Sequence, residues 1–172
     1  MKRVSVHWSK VVSIAVLIVS VTTTVVLAAS PHYKRGGQPV CTGVVNGGTI
    51  TVQCSEGQAS GLGNEDIRIV VTLNGSAGTF CHNPGNSNVV PGQNPATGTS
   101  ATPVNIPGSA VKNGNATLPA ITASLTITTP TAAAAGCPND NWTVTLGPAT
   151  FSGHYSFQQP VGTEIASLSF NF

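Results

Sequence analysis

The stretch CTGVVNGGTITVQC, residues 41–54, decides the fold, because it has the pattern of a β-hairpin with a cysteine at each end. Two runs of β-prone residues flank Gly47-Gly48, and a two-residue glycine loop between such runs is a strong hairpin signal. With these glycines as the loop, Asn46 faces Thr49 as a hydrogen-bonded pair, and the register of the whole hairpin follows. The sequence therefore predicts antiparallel strands at 40–46 and 49–54.

This register predicts a disulfide bond between Cys41 and Cys54. Counting outward from the first pair, the two cysteines face each other at a non-hydrogen-bonded position. Cα atoms at such positions lie about 4.5 Å apart, a separation that suits a disulfide. If the loop were instead Asn46-Gly47, Cys41 would face Val52, and the register would not predict this disulfide.

The other two cysteines, Cys81 and Cys137, pair by elimination, since the chain holds four. An even number of cysteines in an exported chain favours disulfides over free thiols or a metal site. There is no C-x-x-C motif, and the cysteine spacings fit no zinc motif. We therefore expect no metal site on these cysteines, and no cofactor.

Residues 1–29 have the pattern of a secretory signal peptide. Three positive charges in residues 1–10 precede an apolar run at 11–29 that ends in small residues. We expect cleavage after Ala28 or Ala29 and export of the rest of the chain. The alternative is an uncleaved membrane anchor, because the apolar run is about long enough to cross a bilayer. The predicted location is therefore secreted, either extracellular or in the cell envelope.

The charge of the exported part excludes two classes of partner. Residues 30–172 contain four Lys and Arg against five Asp and Glu, which gives a net charge of −1. A nucleic-acid-binding protein needs a basic face to neutralise phosphates, and attraction to an anionic membrane surface needs the same. We therefore expect no nucleic-acid partner and no membrane association after signal cleavage.

The rest of the chain predicts one all-β domain at 40–172, preceded by a short flexible leader at 30–39. No segment shows a sustained helical period, and Ala132–Ala135 lies between a proline and a glycine that leave little room for a helix. Short strands separated by Gly and Pro turns are typical of an antiparallel β-sandwich, here of a Greek-key-like type. Further strands are predicted at 67–73, 79–82, 121–129, 142–146, 149–157 and 163–171.

The segment 83–119 is rich in Pro, Gly and Asn and contains six prolines. Ordered domains seldom carry a structureless loop of that length. We favour short hidden edge strands joined by turns, at 104–106 and 110–112. The alternative is a mobile binding loop.

Three segments resemble small secreted bacterial β-rich proteins to which no function has been assigned. They are GLGNEDI at 61–67, NPGN and PGQNP within 83–95, and GCPNDNWTVTL at 136–146. The resemblance covers most of residues 40–172. It implies an exported β-domain and nothing about mechanism.

The candidate ligand-binding residues are Trp142, Tyr155 and the run Asn139, Asp140 and Asn141. Aromatic rings beside amide groups are the residue types of a sugar-binding face. The same oxygen-rich run could instead bind calcium or form an ordinary turn, and Trp142 could be a core residue.

No catalytic residue is predicted, because there is no G-x-S-x-G motif and Glu164, isolated near the start of a strand, is interpreted as a solvated edge charge. We therefore expect a non-enzymatic, extracellular binding or structural domain. Its partner would be a polysaccharide or another cell-surface protein. The alternative is a pilus-like surface-assembly subunit that pairs through edge strands, since the chain ends in the alternating SLSFNF. A small hydrolase is a third class.

Overall fold

The structure, a computed structural model, describes residues 30–172. The predicted signal peptide and its cleavage sites lie outside the described residues. The predicted all-β antiparallel fold is confirmed. The strands are β1 (His32–Tyr33), β2 (Cys41–Asn46), β3 (Thr49–Cys54), β4 (Gly57–Ser60), β5 (Ile67–His82), β6 (Val89–Pro91), β7 (Ala96–Ile106), β8 (Asn115–Leu118), β9 (Ile121–Thr126), β10 (Thr143–Gln158) and β11 (Glu164–Asn171).

One layer of the sandwich is a five-stranded sheet built on the two longest strands. β10 lies between β11 and β5, and the far edge of β5 pairs with both β6 and β7. β5 joins two strands predicted separately at 67–73 and 79–82. β10 likewise joins the predicted strands at 142–146 and 149–157, and its register shifts between Leu146 and Ala149.

The other layer consists of two three-stranded sheets, β2-β3-β9 and β1-β4-β8, that continue one another. Cys54 faces Ile121 in the first sheet, and Gly57 faces Leu118 in the second. The β4–β8 ladder therefore continues the β3–β9 ladder in the same register, although residues 55, 56, 119 and 120 between them are not in strands. The layer is therefore three long chain segments, each interrupted near its middle.

The core lies between the two layers, where alternate residues of each strand point inward. Ile69, Val71 and Leu73 on β5 are fully buried, as are Tyr155 and Phe157 on β10. Burying one such side chain stabilises the fold by about 1.5–3 kcal/mol, so this alternation sets the register of the central strands. Within residues 30–172, no helix has the length and apolar character needed to cross a bilayer.

Both predicted disulfides are present. Cys41 faces Cys54 in the ladder between β2 and β3, with Cα atoms 3.9 Å apart. Cys81 is joined to Cys137 with Cα atoms 5.7 Å apart. Gly47 has a φ of +57°, as expected for glycine at the first central position of a two-residue hairpin loop.

The segment 83–119 contains more strand than the sequence predicts. β7 is a full strand that pairs with β5 along its length and includes the predicted residues 104–106. The second predicted strand, at 110–112, is wrong, because Ala110 is the last residue of a 3-10 helix at Gly108–Ala110 and only Lys112 forms an isolated bridge. Pro103 lies in β7 opposite Val70, and a proline is compatible with a strand at the edge of a sheet. Because β7 contains a proline and many threonines in place of a run of apolar residues, its sequence gives only a weak strand signal.

The leader at 30–39 is packed against the domain, which differs from the predicted flexible segment. The Tyr33 ring stacks on Phe157 with ring centroids 5.6 Å apart, and β1 pairs with β4. The backbone N–H of Lys34 donates to the carbonyl of Gln58 at 2.9 Å. Partial burial of the Tyr33 ring and backbone pairing with β4 therefore hold this segment in place.

A one-turn helix, α1 (Ala132–Ala135), lies where no helix was expected. The Thr131 hydroxyl accepts a hydrogen bond from the backbone N–H of Ala134, which caps the first turn. Gly136 ends the turn with a φ of +70°. The flanking residues therefore cap this short helix rather than prevent it.

Candidate functional site

The five residues predicted to bind a ligand do not form one surface. Asn139, Asp140 and Asn141 are exposed in the loop between α1 and β10, and Trp142 is half-buried. Tyr155 is fully buried in the core. The sugar-binding face predicted from these residues is therefore not assembled, because its second aromatic ring points into the sandwich.

Alternation along β10 explains the position of Tyr155. Phe151, Tyr155 and Phe157 have the same parity and point into the core, whereas His154 points to the outer face. This parity is visible in the sequence FSGHYSF and could have placed Tyr155 inside without a structure. The burial of Tyr155 also raises the pKa of its hydroxyl, and the nearby Tyr33 adds to that effect.

The oxygen-rich run in the 139–142 loop has the geometry of an ordinary turn. The side-chain oxygen of Asn139 accepts a hydrogen bond from the backbone N–H of Asn141 at 3.0 Å. The run Asn64-Glu65-Asp66 before β5 is similar, since Asp66 accepts a hydrogen bond from the N–H of Gly108 at 2.8 Å. Among residues 30–172, no three His, Cys, Asp or Glu side chains are grouped so that they could hold a metal ion.

A polar cluster that the sequence did not predict lies on the outer face of β10 and β11. His154 Nε2 lies 3.0 Å from a carboxylate oxygen of Glu164, and His154 Nδ1 lies 3.4 Å from the hydroxyl of Ser169. Ser169 faces His154 directly across the two strands. The tight turn between the strands brings Glu164 to the other nitrogen of the same ring. We call these three residues the His154 cluster.

Hydrogen bonds keep the carboxylate of the His154 cluster ionised. The hydroxyl of Ser156, the His154 ring and the hydroxyl of Ser167 together lower the pKa of Glu164 to about 2, with the Ser156 hydroxyl contributing most. The side chains of His154 and Glu164 are 41% and 43% exposed, so their hydrogen bond is a surface interaction. Such pairs contribute little to stability, about 0–1 kcal/mol. The His154 cluster is thus a solvent-exposed set of hydrogen-bonded side chains and not a buried network.

One side of the sandwich is open. β11 is the last strand of its sheet and β2 is the last strand of the other layer, and no strand among residues 30–172 pairs with either outer edge. A groove of about 330 Å³ lies between them, lined by Gln38, Pro39, Val40 and Cys41 on one bank and Leu168, Ser169 and Phe170 on the other. We call this region the open side.

The opposite side is closed by contact between β7 and β9. The hydroxyl of Ser100 on β7 donates to the carbonyl of Ser124 on β9 at 2.9 Å. Gly98 allows β7 to approach closely, because a side-chain carbon there would lie 3.2 Å from Leu125. The two sides of the sandwich therefore differ, and only the open side presents two strand edges flanking a groove.

The backbone groups on the outer edge of β11 follow from the ladder. Phe151 and Phe172 exchange both backbone hydrogen bonds, at 3.2 and 2.9 Å, which identifies them as a hydrogen-bonded pair. Counting along the ladder, the N–H and C=O groups of Ser167, Ser169 and Asn171 point away from β10. These groups can form hydrogen bonds with an additional strand.

Comparison with known proteins identifies no relative: no family model, no curated protein and no solved structure matches the chain.

Proposed function

We propose that the chain is a secreted structural domain that assembles outside the cell by pairing its open edge strands with another protein chain, in the manner of a surface-assembly subunit. The observation that supports this most is the open side, where β2 and β11 leave backbone donors and acceptors facing outward. Strand addition uses such groups for affinity and alternate side-chain positions for specificity. A domain that did not use these edges would be expected to protect them, since exposed edges promote aggregation.

Location outside the cell is supported by the chemistry of the chain. Two disulfides join its four cysteines, and disulfides persist in oxidising compartments. The N-terminal signal-peptide pattern supports export by the same route. We therefore place the domain in the extracellular space or the cell envelope.

A protein partner fits the open side better than a polysaccharide does. Sugar recognition was predicted from aromatic residues, and Tyr155 is buried where no ligand can reach it. The open side instead offers a ladder edge, which is complementary to another extended backbone.

The test uses two substitutions at one position of β11. Ser169→Pro removes the backbone N–H that faces outward, while the ladder to β10 does not use that donor. Ser169→Ala removes only the hydroxyl. We expect native mass spectrometry of the protein recovered from an exporting host to show multimers for the natural chain and for Ser169→Ala. Ser169→Pro should give fewer of them. A natural chain that stays monomeric in both culture fluid and envelope would contradict the proposal.

A second candidate function is hydrolysis, and the His154 cluster is the observation that favours it. A histidine between a carboxylate and a serine hydroxyl is the arrangement that activates a serine nucleophile. We place it second because all three side chains are on an open sheet face. Labelling by a fluorophosphonate probe tests it: a hydrolase would be labelled at Ser169, and both Ser169→Ala and His154→Gln would abolish the label. Labelling that is absent or independent of His154 would remove this candidate.

A further inference from the structure

Exposed apolar side chains are concentrated at the β2 edge. Val40 is 65% exposed and Val44 is 73% exposed, and Val45 and Phe172 are also exposed. These are four of the seven large hydrophobic residues exposed among residues 30–172. Val40 and Val44 lie on the outer face of this edge, and Val45 and Phe172 lie on its core side, where the Phe172 ring is over Gly43. Apolar side chains grouped in this way, in a chain with polar outer faces, point to a protein interface.

The β2 edge also lacks the features by which proteins protect an open strand. Natural edge strands carry charged side chains, a proline or a bulge that prevents pairing with another chain. No Lys, Arg, Asp or Glu occurs in residues 38–55, the nearest proline, Pro39, precedes β2 and none lies within it, and its register with β3 is unbroken. An uncharged edge can approach a copy of itself without repulsion between like charges.

The hairpin register determines which backbone groups of β2 face outward. The N–H of Ser55 donates to the carbonyl of Val40 at 2.9 Å, so these two residues form a hydrogen-bonded pair. The hydrogen-bonded positions then alternate along the strand, and Cys41, Gly43 and Val45 occupy the other set. Their N–H and C=O groups point away from β3 toward the open edge.

We propose that β2 pairs with β2 of a second copy of this chain, antiparallel and centred on Gly43. This inference rests on the proposed function, of which it names one partner. In this register Gly43 faces Gly43 of the second copy, and Cys41 faces Val45 in both directions. Each of these three facing pairs exchanges two hydrogen bonds, so every outward group of Cys41, Gly43 and Val45 is satisfied. A two-fold interface of this kind is self-complementary and closes at two copies.

The side chains fit the same centre. A side-chain carbon on Gly43 would lie 2.5 Å from the Phe172 ring, so the ring occupies the space beside the backbone there. The two Phe172 rings would then flank the two-fold axis on the core side. On the outer face Val44 faces Thr42 of the second copy, and the two Val44 side chains become diagonal neighbours. The interface would therefore cover the most exposed valine of the patch.

The first test replaces an exposed valine with lysine. Val44→Lys puts two like charges side by side near the axis, and Val161→Lys makes the same change at an exposed valine in the turn before β11. We expect sedimentation equilibrium of the exported protein to show a dimer that Val44→Lys weakens at least tenfold and Val161→Lys leaves unchanged. The disulfide-bonded mass of each variant checks its fold.

The outcomes separate this inference from the proposed function. If Val44→Lys changes nothing while Ser169→Pro dissociates the assembly, pairing through β2 is wrong and assembly through β11 stands. If the natural chain is a monomer at every concentration, both fail.

A second test reads the register. Cysteines at 42 and 44 face each other across the proposed interface at non-hydrogen-bonded positions, which suit a disulfide. Thr42→Cys with Val44→Cys should therefore give a covalent dimer. Thr42→Cys with Asn46→Cys places no two of the new cysteines opposite each other and should not. Equal cross-linking of both variants would overturn the register.

Discussion

The ring of Phe170 on β11 lies directly over the backbone of Gly153, the residue that faces it on β10. A side-chain carbon on Gly153 would overlap this ring. The Phe151 ring covers Gly75 on the neighbouring strand in the same way, with a carbon there 2.7 Å from the ring. Aromatic rings thus fill the space that glycines leave on the inner face of the five-stranded sheet, an arrangement that strengthens strand pairing.

Gly153→Ala is therefore expected to destabilise the domain. The added methyl group forces the Phe170 ring out of its position, and overpacking of this kind typically costs about 1–3 kcal/mol. The free energy of unfolding in urea measures the effect. Gly78→Ala is the matched control, because a side-chain carbon at Gly78 on β5 meets nothing within 4 Å. Equal effects of the two substitutions would show that the ring contact is unimportant.

Tyr155 is predicted to affect stability and not ligand binding. Its side chain is fully buried, so Tyr155→Ala removes a large core ring and should cost about 3–5 kcal/mol. Asn141→Ala, in the exposed loop, should change the free energy of unfolding by less than about 0.5 kcal/mol. Both values come from urea unfolding. A Tyr155→Ala variant as stable as the natural chain would contradict the placement of this ring.

The carboxylate of Glu164 should make stability depend on pH in acid. Its pKa in the folded protein is about 2, against an ordinary value of 4.5. Because the folded pKa is lowered, Glu164 contributes its full stabilisation above about pH 4.5 and loses it as the pH falls toward 2. We expect natural chain and Glu164→Gln to differ in unfolding free energy at neutral pH and to converge near pH 2.

The Glu164 effect should be small because the side chain is exposed, at most about 1 kcal/mol, and added salt should reduce it. Glu56→Gln serves as the control, since that exposed carboxylate is not part of the His154 cluster. A difference between the natural chain and Glu164→Gln that stays constant from pH 7 to pH 2 would argue against the lowered pKa of Glu164.

Loss of the Cys41–Cys54 bridge is expected to lower the free energy of unfolding by about 3 kcal/mol. The bridge closes a loop with a sequence separation of 13 residues, and a closed loop of this size reduces the conformational entropy of the unfolded chain by a corresponding amount. Loss of the Cys81–Cys137 bridge, with a separation of 56, should cost somewhat more. Unfolding of the two paired Cys→Ala variants measures both. A larger loss of stability for the Cys41–Cys54 variant would mean that contacts of the bridge in the folded state outweigh the entropy of loop closure.

Local patterns in the sequence were enough to predict the hairpin and its disulfide. The register of a two-residue loop depends only on the loop itself, so Gly47-Gly48 places Cys41 opposite Cys54 without reference to the rest of the fold. The strand at 67–73 was predicted for a similar reason, because it is a local run of mostly apolar and β-branched residues.

Strands that depend on distant partners were missed or shortened. β7 forms its backbone hydrogen bonds with β5 and packs against β9. Its own residues are mostly Thr, Ala, Ser and Pro. A sequence window contains none of that information. The leader at β1 was likewise predicted to be flexible, because the ring that holds Tyr33 is Phe157, far along the chain.

By itself, then, the sequence determined the all-β class, the pairing of the cysteines and the weak net charge, since each follows from composition or from neighbours a few residues apart. The tertiary structure alone decided that Glu164 and Ser169 meet His154 and that Val44 lies on an unprotected edge. These relationships depend on which strands pair and in which register, because pairing sets which side chains face each other and which edges stay open.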